Sequence, residues 1–350
     1  MTVYVLGAGA SHDAGYPLAA DMATELLRWM KRPMRVPHSY AARYPAIAQF
    51  IEESFSPIGN IEDLITDIQR RIRELETGTT EQRVKRAQIA DAYGVFQNAL
   101  RDWFAEIQRG KALESVVYRD FARNVVSPGD CIITFNYDVS LEHELRRAGK
   151  FEIGNGYWFP IEGLPAGSRT TLLKLHGSTS WLALLFGGFT HGTAYFQPGQ
   201  TLGVRPVIGS NELEFLGYKD SVDPRFRNGG AALPVMIFPA RSKEFYFSPN
   251  TGVEYVKFWD DLWDQAEKAL AHTSKVVICG YSLLSVNERA RNMLLSAPRK
   301  DAEILVASGD ERTGQIVQDY LCAGYTKAVA APKTLFQDWV ASISSSLATI

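Results

Sequence analysis

Six short apolar runs, Val3 to Leu6, Cys131 to Phe135, Thr171 to Leu175, Pro234 to Phe238, Lys275 to Cys279 and Ala302 to Ala307, limit the fold more than any other feature. They are too short for core helices and show no alternation of apolar with polar residues, the pattern of strands covered on both faces of a parallel sheet. Helical patterns separate them, which predicts an α/β protein with a doubly wound, Rossmann-like sheet. The distance from the first run to the second is too long for one crossover. From about Tyr40 to Asn124 the chain is charged, almost free of Gly and Pro after Asn60, and apolar at Ile61, Leu64, Ile65, Ile68 and Ile72, predicting a helical insertion. From Trp181 to Gly230, Gly, Pro and aromatic residues crowd together without a sustained period, as in a cap of loops and short strands. The expected organisation is a core from 1–30, 125–180 and 231–350, an insertion at 31–124 and a smaller irregular cap at 181–230.

With 46% hydrophobic residues and 22% charged, the 350-residue chain can bury a large core. Its formal net charge of -2 gives no electrostatic support for nucleic-acid or membrane-surface binding. Cys131, Cys279 and Cys322 are far apart in sequence, and each reads as a small core residue rather than a bridge or metal ligand. No charged-then-apolar leader precedes Val3 and no apolar stretch approaches membrane-spanning length, so the expected compartment is a reducing cytoplasm.

Leu6-Gly7-Ala8-Gly9-Ala10-Ser11 follows the first run directly. There, a glycine turn brings backbone amides close to a pyrophosphate at a helix start, unless it is only a structural strand-to-helix turn. A dehydrogenase fingerprint wants a third glycine at position 12, which is His12, and an acidic residue about 20 residues on at a second strand end. Neither condition is met. Asn136 and Asp138 lie two apart on a strand-end loop, where they either face one cleft or serve as a turn residue and a helix cap. His176, at another strand end, is either a satisfied structural histidine or a near-neutral base. His12 is an open candidate for lining the cleft. Ser11 and Ser282 offer hydroxyls to a phosphate or ribose, or bond their own backbone, and Ser308 with Asp310 ends the sixth run as either a ribose ligand or a loop cap.

In order along the chain, four motifs, the second extended by the helix after it, resemble those of sirtuins. Gly7-Ala-Gly-Ala-Ser11 with Gly15-Tyr-Pro17 is similar to the GAG-x-S turn and its Gly-x-Pro, and Thr134-Phe-Asn-Tyr-Asp138 to T-Q-N-x-D. Leu141 to Gly149 is similar to the helix that follows it, Leu175-His-Gly-Ser178 to the histidine-bearing strand end, and Gly280-Tyr-Ser-Leu283 to the G-x-S-L turn. The resemblance implies NAD as substrate. It places Gly7, Ala8, Gly9, Ala10, Ser11, Pro17, Thr134, Gly280, Ser282 and Ser308 around the dinucleotide, with Asn136, Asp138 and His176 at the nicotinamide ribose. It departs from the family at two points. No cysteine lies between Cys131 and Cys279, so the two Cys-x-x-Cys pairs of the family's zinc ribbon are missing and no metal is expected. Leu18-Ala19-Ala20 stands where the family has Asp-Phe-Arg, which puts acyl-lysine chemistry in doubt.

The helical insertion, Asn60-Ile-Glu-Asp-Leu64 and Pro234-Val-Met-Ile-Phe-Pro239 resemble divergent sirtuin-like proteins of prokaryotic anti-phage systems, which consume NAD. That resemblance implies an NAD glycohydrolase releasing nicotinamide and ADP-ribose, controlled by homo-oligomerisation or by a partner such as an ATPase. An NAD-dependent protein deacylase and a non-catalytic NAD or ADP-ribose sensor are the alternatives.

Overall fold

Val3-Tyr-Val-Leu6 forms strand β1 (Val3–Leu6), buried along its whole length because it lies in the middle of a six-stranded parallel sheet. The computed structural model describes residues 1–32, 41–110, 115–158, 167–185, 189–190, 193–194, 203–206, 231–237, 253–283, 288–309 and 311–347. Along the chain follow β2 (Cys131–Thr134), β3 (Thr171–Lys174), β4 (Gly177–Leu185), β5 (Phe189–Thr190), β6 (Thr193–Ala194), β7 (Gly203–Pro206) and β8 (Ala231–Met236). The last strands are β9 (Lys275–Cys279), β10 (Glu303–Ala307) and β11 (Ala328–Ala330). The main sheet runs β11-β10-β9-β1-β2-β3, so the strand order reverses between β1 and β9. In an open α/β sheet, ligands sit in the crevice beyond the carboxyl ends of the two strands at that reversal.

Between β1 and β2 lie α1 (Ala8–Ser11), α2 (Ala19–Met30), α3 (Tyr44–Phe55), α4 (Ile61–Glu74), α5 (Thr80–Arg109) and α6 (Val116–Asp120), followed by a π-helical turn over Phe121–Val125. The expected apolar face of α4 is buried at Ile61, Leu64, Ile65, Ile68 and Ile72, and Asn60 caps the helix by accepting the Asp63 amide at 2.9 Å. The 30-residue α5 is started by a capping box in which Thr79 and Gln82 exchange bonds. Later helices are α7 (Ser140–Arg147), α8 (Ile153–Gly156), α9 (Val253–His272), α10 (Glu288–Ser296), α11 (Thr313–Cys322) and α12 (Phe336–Leu347).

One strand expectation needs correction. The run Pro234 to Phe238 is not a parallel core strand: its described part belongs to β8, which pairs antiparallel with β4 in a separate three-stranded sheet. Phe238 lies outside the described residues. The reason is the turn at Gly177, whose φ of 81° lets the chain leave β3 and start a new strand, so that β3 becomes the edge of the main sheet. The sixth parallel strand is instead β11, too short and too exposed to carry an apolar signature. Much of the stretch expected to form the cap lies outside the described residues. Among those described, no helix is long and apolar enough to cross a membrane.

Candidate active site

Both loops at the strand reversal are built to touch. Gly7 donates its amide to Cys279 O at 3.0 Å and Gly9 donates to Gly280 O at 3.0 Å, tying the turn after β1 to the turn after β9. A Cβ on Gly7 would stand 2.5 Å from Gly280 O, and one on Gly280, itself at φ +60°, would stand 2.4 Å from Ala10 N. These glycines are therefore required by backbone-to-backbone contact. The Gly280→Ala variant is expected to lose at least about 1–2 kcal/mol from left-handed strain alone, read as a lower denaturation midpoint with an unchanged slope.

The same contact changes how the glycine turn can serve a phosphate. The amides of Gly7, Gly9 and Ala10 all donate to protein carbonyls, Ala10 to Gly7 O at 2.9 Å. Ala8, by contrast, lines a cavity at the crevice together with Ser11, Pro17, Asn136, Asp138, His176, Gly280 and Ser282. That cavity encloses about 810 Å³ of empty space, part of it open to solvent. Eight of the expected site residues thus share one cavity. His12 is exposed and is not among its lining residues.

Ser11 is the hub of the buried side. Its hydroxyl donates its one proton to Asp138 Oδ2 at 2.6 Å, so its remaining neighbours must donate to it. Asn136 Nδ2 does so at 2.8 Å, and the Tyr118 hydroxyl, 2.7 Å away, supplies the third bond. Burial first, and then the charge of Asp138, push the Tyr118 phenol well above its ordinary range, which keeps it a donor. Ser11 is only 2% exposed, so its hydroxyl serves the network rather than presenting itself to a ligand. Asn136 spends its other amide proton on Gly7 O at 2.8 Å, which leaves its side-chain oxygen as the acceptor it can offer. Asp138 also accepts the Ser140 amide with Oδ1 at 3.1 Å, so it supports the start of α7 as well as facing the cavity.

Thr134 stands just behind, donating to Leu6 O at 3.3 Å and accepting the Asn136 amide at 3.1 Å. It shapes the loop and is buried away from the cavity. Ser308 is also buried, and its carbonyl accepts the Thr313 hydroxyl at 2.7 Å, while neighbouring Ala307 O accepts the Gly280 amide at 2.9 Å. Ser308 therefore lies one strand end away from Gly280, outside the cavity lining. Asp310 lies outside the described residues.

His176 follows β3, where Leu175 donates to Thr134 O at 2.9 Å and Ile237 donates to His176 O at 2.8 Å. Its ring is fixed between Phe135, at 5.1 Å edge to face, and Tyr137, stacked at 6.2 Å. Phe135 in turn stacks on Tyr281 at 4.4 Å. Tyr137 is held by donating to Ile237 O at 2.6 Å. Aromatic packing thus holds the imidazole in place at the cavity lining.

Several lining residues were given no role by motif reasoning. Glu62 of α4 and Phe104 of α5 enter the cavity from the helices between β1 and β2, while Tyr118 of α6 reaches Ser11 from outside the lining. In sequence Glu62 stood inside Asn60-Ile-Glu-Asp-Leu64 without an assigned role, and Phe104 was an ordinary apolar helix position. Tyr16, at 5.2 Å from Phe104, and Tyr281 stood inside the motifs as unassigned positions. Among the described residues, no group of three His, Cys, Asp or Glu could hold a metal ion.

No protein-family model matches the chain, and no curated protein matches it. Solved structures of Sir2 homologues are similar to it. One is a Sir2 homologue mutant in complex with 2'-O-acetyl ADP ribose, at 12% identity, covering 99% of this chain and 92% of that one, with a TM-score of 0.43. Another is a Sir2 homolog–NAD complex at 12% identity, covering 99% of this chain and 90% of that one, with a TM-score of 0.41. Neither likeness says which residues of this chain act.

Proposed function

We propose that this chain is an NAD glycohydrolase, cleaving NAD with water to nicotinamide and ADP-ribose. The observation that carries the reading is the meeting of Asn136, Asp138 and His176 in one cavity at the strand reversal, beside a glycine-sealed turn. In this reading the pyrophosphate lies along Ala8 and Gly280 to Ser282, and the adenosine extends toward Ser308. The Asn136 side-chain oxygen accepts from a hydroxyl of the nicotinamide ribose. As the glycosidic bond breaks, its electron pair leaves on the nicotinamide nitrogen and positive charge passes to the ribose, where the Asp138 carboxylate stabilises it through space. His176 takes a proton from water or from a ribose hydroxyl as the water oxygen bonds to the anomeric carbon. The same resemblance that suggests this activity suggests a role in anti-phage defence, with homo-oligomerisation or an ATPase partner holding the enzyme silent.

The test is to incubate the purified chain with NAD and to follow nicotinamide and ADP-ribose by chromatography. His176→Ala and Asn136→Ala are each expected to lose about 10²- to 10⁴-fold in turnover. Equal turnover by wild type and both variants overturns the mechanism. Nicotinamide release only when an acyl-lysine peptide is present would mark a deacylase, and NAD bound but intact would mark a sensor.

A further inference from the structure

Asn136 and Asp138 are tied to one atom. Asn136 Nδ2 donates to the Ser11 hydroxyl oxygen at 2.8 Å, and the same hydroxyl donates to Asp138 Oδ2 at 2.6 Å. The third bond to that oxygen comes from the Tyr118 hydroxyl at 2.7 Å, on a side chain that is 1% exposed and lies outside the cavity lining. Three bonds saturate a hydroxyl. With Asn136 and Tyr118 donating to its two lone pairs, the one proton of Ser11 goes to Asp138. A donor chain that ends on a carboxylate is charge-assisted, and each bond in it strengthens the next.

Tyr118 is itself held at both ends. Ser115 caps α6 by accepting the Tyr118 amide at 3.2 Å, and the phenol ring packs edge to face on Phe336 of α12 at 5.9 Å. Directly after α6, Phe121 of the π-helical turn packs on the same Phe336 at 5.3 Å and on Tyr4 of β1 at 5.2 Å. Backbone and ring are thus each fixed by a neighbour, so the hydroxyl is brought to Ser11 already oriented.

Resting on the NAD reading above, we propose that Tyr118 is a positioning residue for the reaction: through Ser11 it fixes the Asp138 carboxylate and the Asn136 amide relative to the nicotinamide ribose. It touches no substrate. Without the phenol oxygen, Ser11 accepts one bond instead of two, its proton is free to turn from Asp138, and the carboxylate and the amide lose their common reference. The loss falls on the transition state, where the ribose carries the charge that Asp138 stabilises, rather than on binding of the dinucleotide.

Tyr118 also fills space in the core, and that role alone predicts a lower melting temperature with an unchanged rate per folded molecule. The experiment therefore follows nicotinamide release from NAD by wild type, Tyr118→Phe, Ser11→Ala and the double variant, with turnover expressed per site titrated by ADP-ribose in a calorimeter. The titration restricts the rate to folded molecules, so partial unfolding of a variant does not imitate the effect. Tyr118→Phe is expected to lose about 10- to 100-fold in kcat, with KM for NAD within about threefold of wild type. Because Tyr118 acts through Ser11, the double variant is expected to be no slower than Ser11→Ala alone. An unchanged kcat in Tyr118→Phe, or losses that multiply in the double variant, overturns the inference while leaving the glycohydrolase reading standing. Absence of nicotinamide release from wild type overturns that reading, and this inference with it.

Discussion

Replacing Lys174 by Met is expected to destabilise the protein by about 3–5 kcal/mol, as removal of one partner from a buried ion pair does. Lys174 and Glu142 are each about 1% exposed at the side chain, and the ammonium reaches Glu142 Oε1 at 2.7 Å. It also donates to the backbone carbonyl of Asp138, and the Tyr157 hydroxyl donates to the same Glu142 oxygen at 3.1 Å. Burial pushes the Glu142 carboxyl above its usual range, and Lys174 opposes that push. Without the ammonium, the buried carboxyl takes up a proton more readily than it does in the unfolded chain. A raised folded-state pKa gives stability that is fully present below the unfolded value and is lost as pH rises. Lys174→Met is thus expected to be most stable on the acid side of the ordinary glutamate range and weaker at neutrality. The double variant Lys174→Met with Glu142→Leu is expected to recover most of the loss, since an apolar pair needs no compensation. Urea denaturation of both variants between acid and neutral pH checks each part. A single variant as stable as wild type at neutral pH would show that the pair is not a structural keystone. Because the ammonium also holds the Asp138 carbonyl, loss of the pair is expected to loosen the site loop as well as the core.

Alkaline unfolding is the second large effect. The phenols of Tyr16, Tyr118, Tyr137, Tyr157 and Tyr320 are all pushed well above their ordinary value of 10.0, chiefly by burial. Burial also raises the Cys131 thiol to about 12. In every case the folded state keeps a proton that the unfolded chain gives up, so stability is present below the ordinary value, 10.0 for the phenols and 9.0 for the thiol, and is lost as pH rises past it. Each such group contributes about 1.4 kcal/mol per pH unit, so five phenols remove about 7 kcal/mol per unit. A slope of that size is large against the stability of an ordinary domain, about 5–15 kcal/mol. A cooperative transition between about pH 10 and 12, followed by circular dichroism, is the expected result. Tyr320→Phe is the informative control, because the Tyr320 hydroxyl is buried with no hydrogen-bond partner among the described residues. That variant is expected to be at least as stable as wild type at neutral pH and to reduce the alkaline slope by one proton.

The runs that became β1, β2, β3, β9 and β10 were legible because strands buried on both faces are written as unbroken apolar stretches. The helix at Ile61 was legible because its core face repeats at helical spacing, whereas the cap at Asn60 came only with the structure. β11 was not, since three small residues at a sheet edge bury too little to leave a pattern. The place of Pro234 was misread because an apolar run does not say which sheet it joins or in which direction. For the site, chain order and strand-end positions singled out Asn136, Asp138, His176 and Gly280, and the cavity contains all of them.

By itself, then, the sequence determined the strands, the glycine turns and the residues at the strand ends, because local pattern and backbone sterics act within a few residues. Only the tertiary structure decided what those residues do to one another. It turned Ser11 from a candidate ligand into a relay between Tyr118, Asn136 and Asp138, and it moved the need for Gly7 and Gly280 from phosphate approach to the contact of two loops. It also brought Glu62 and Phe104 to the cavity from helices far away in sequence. Such contacts depend on how the helices between β1 and β2 fold back over the sheet, and helix periodicity fixes which face is apolar without fixing what that face will meet.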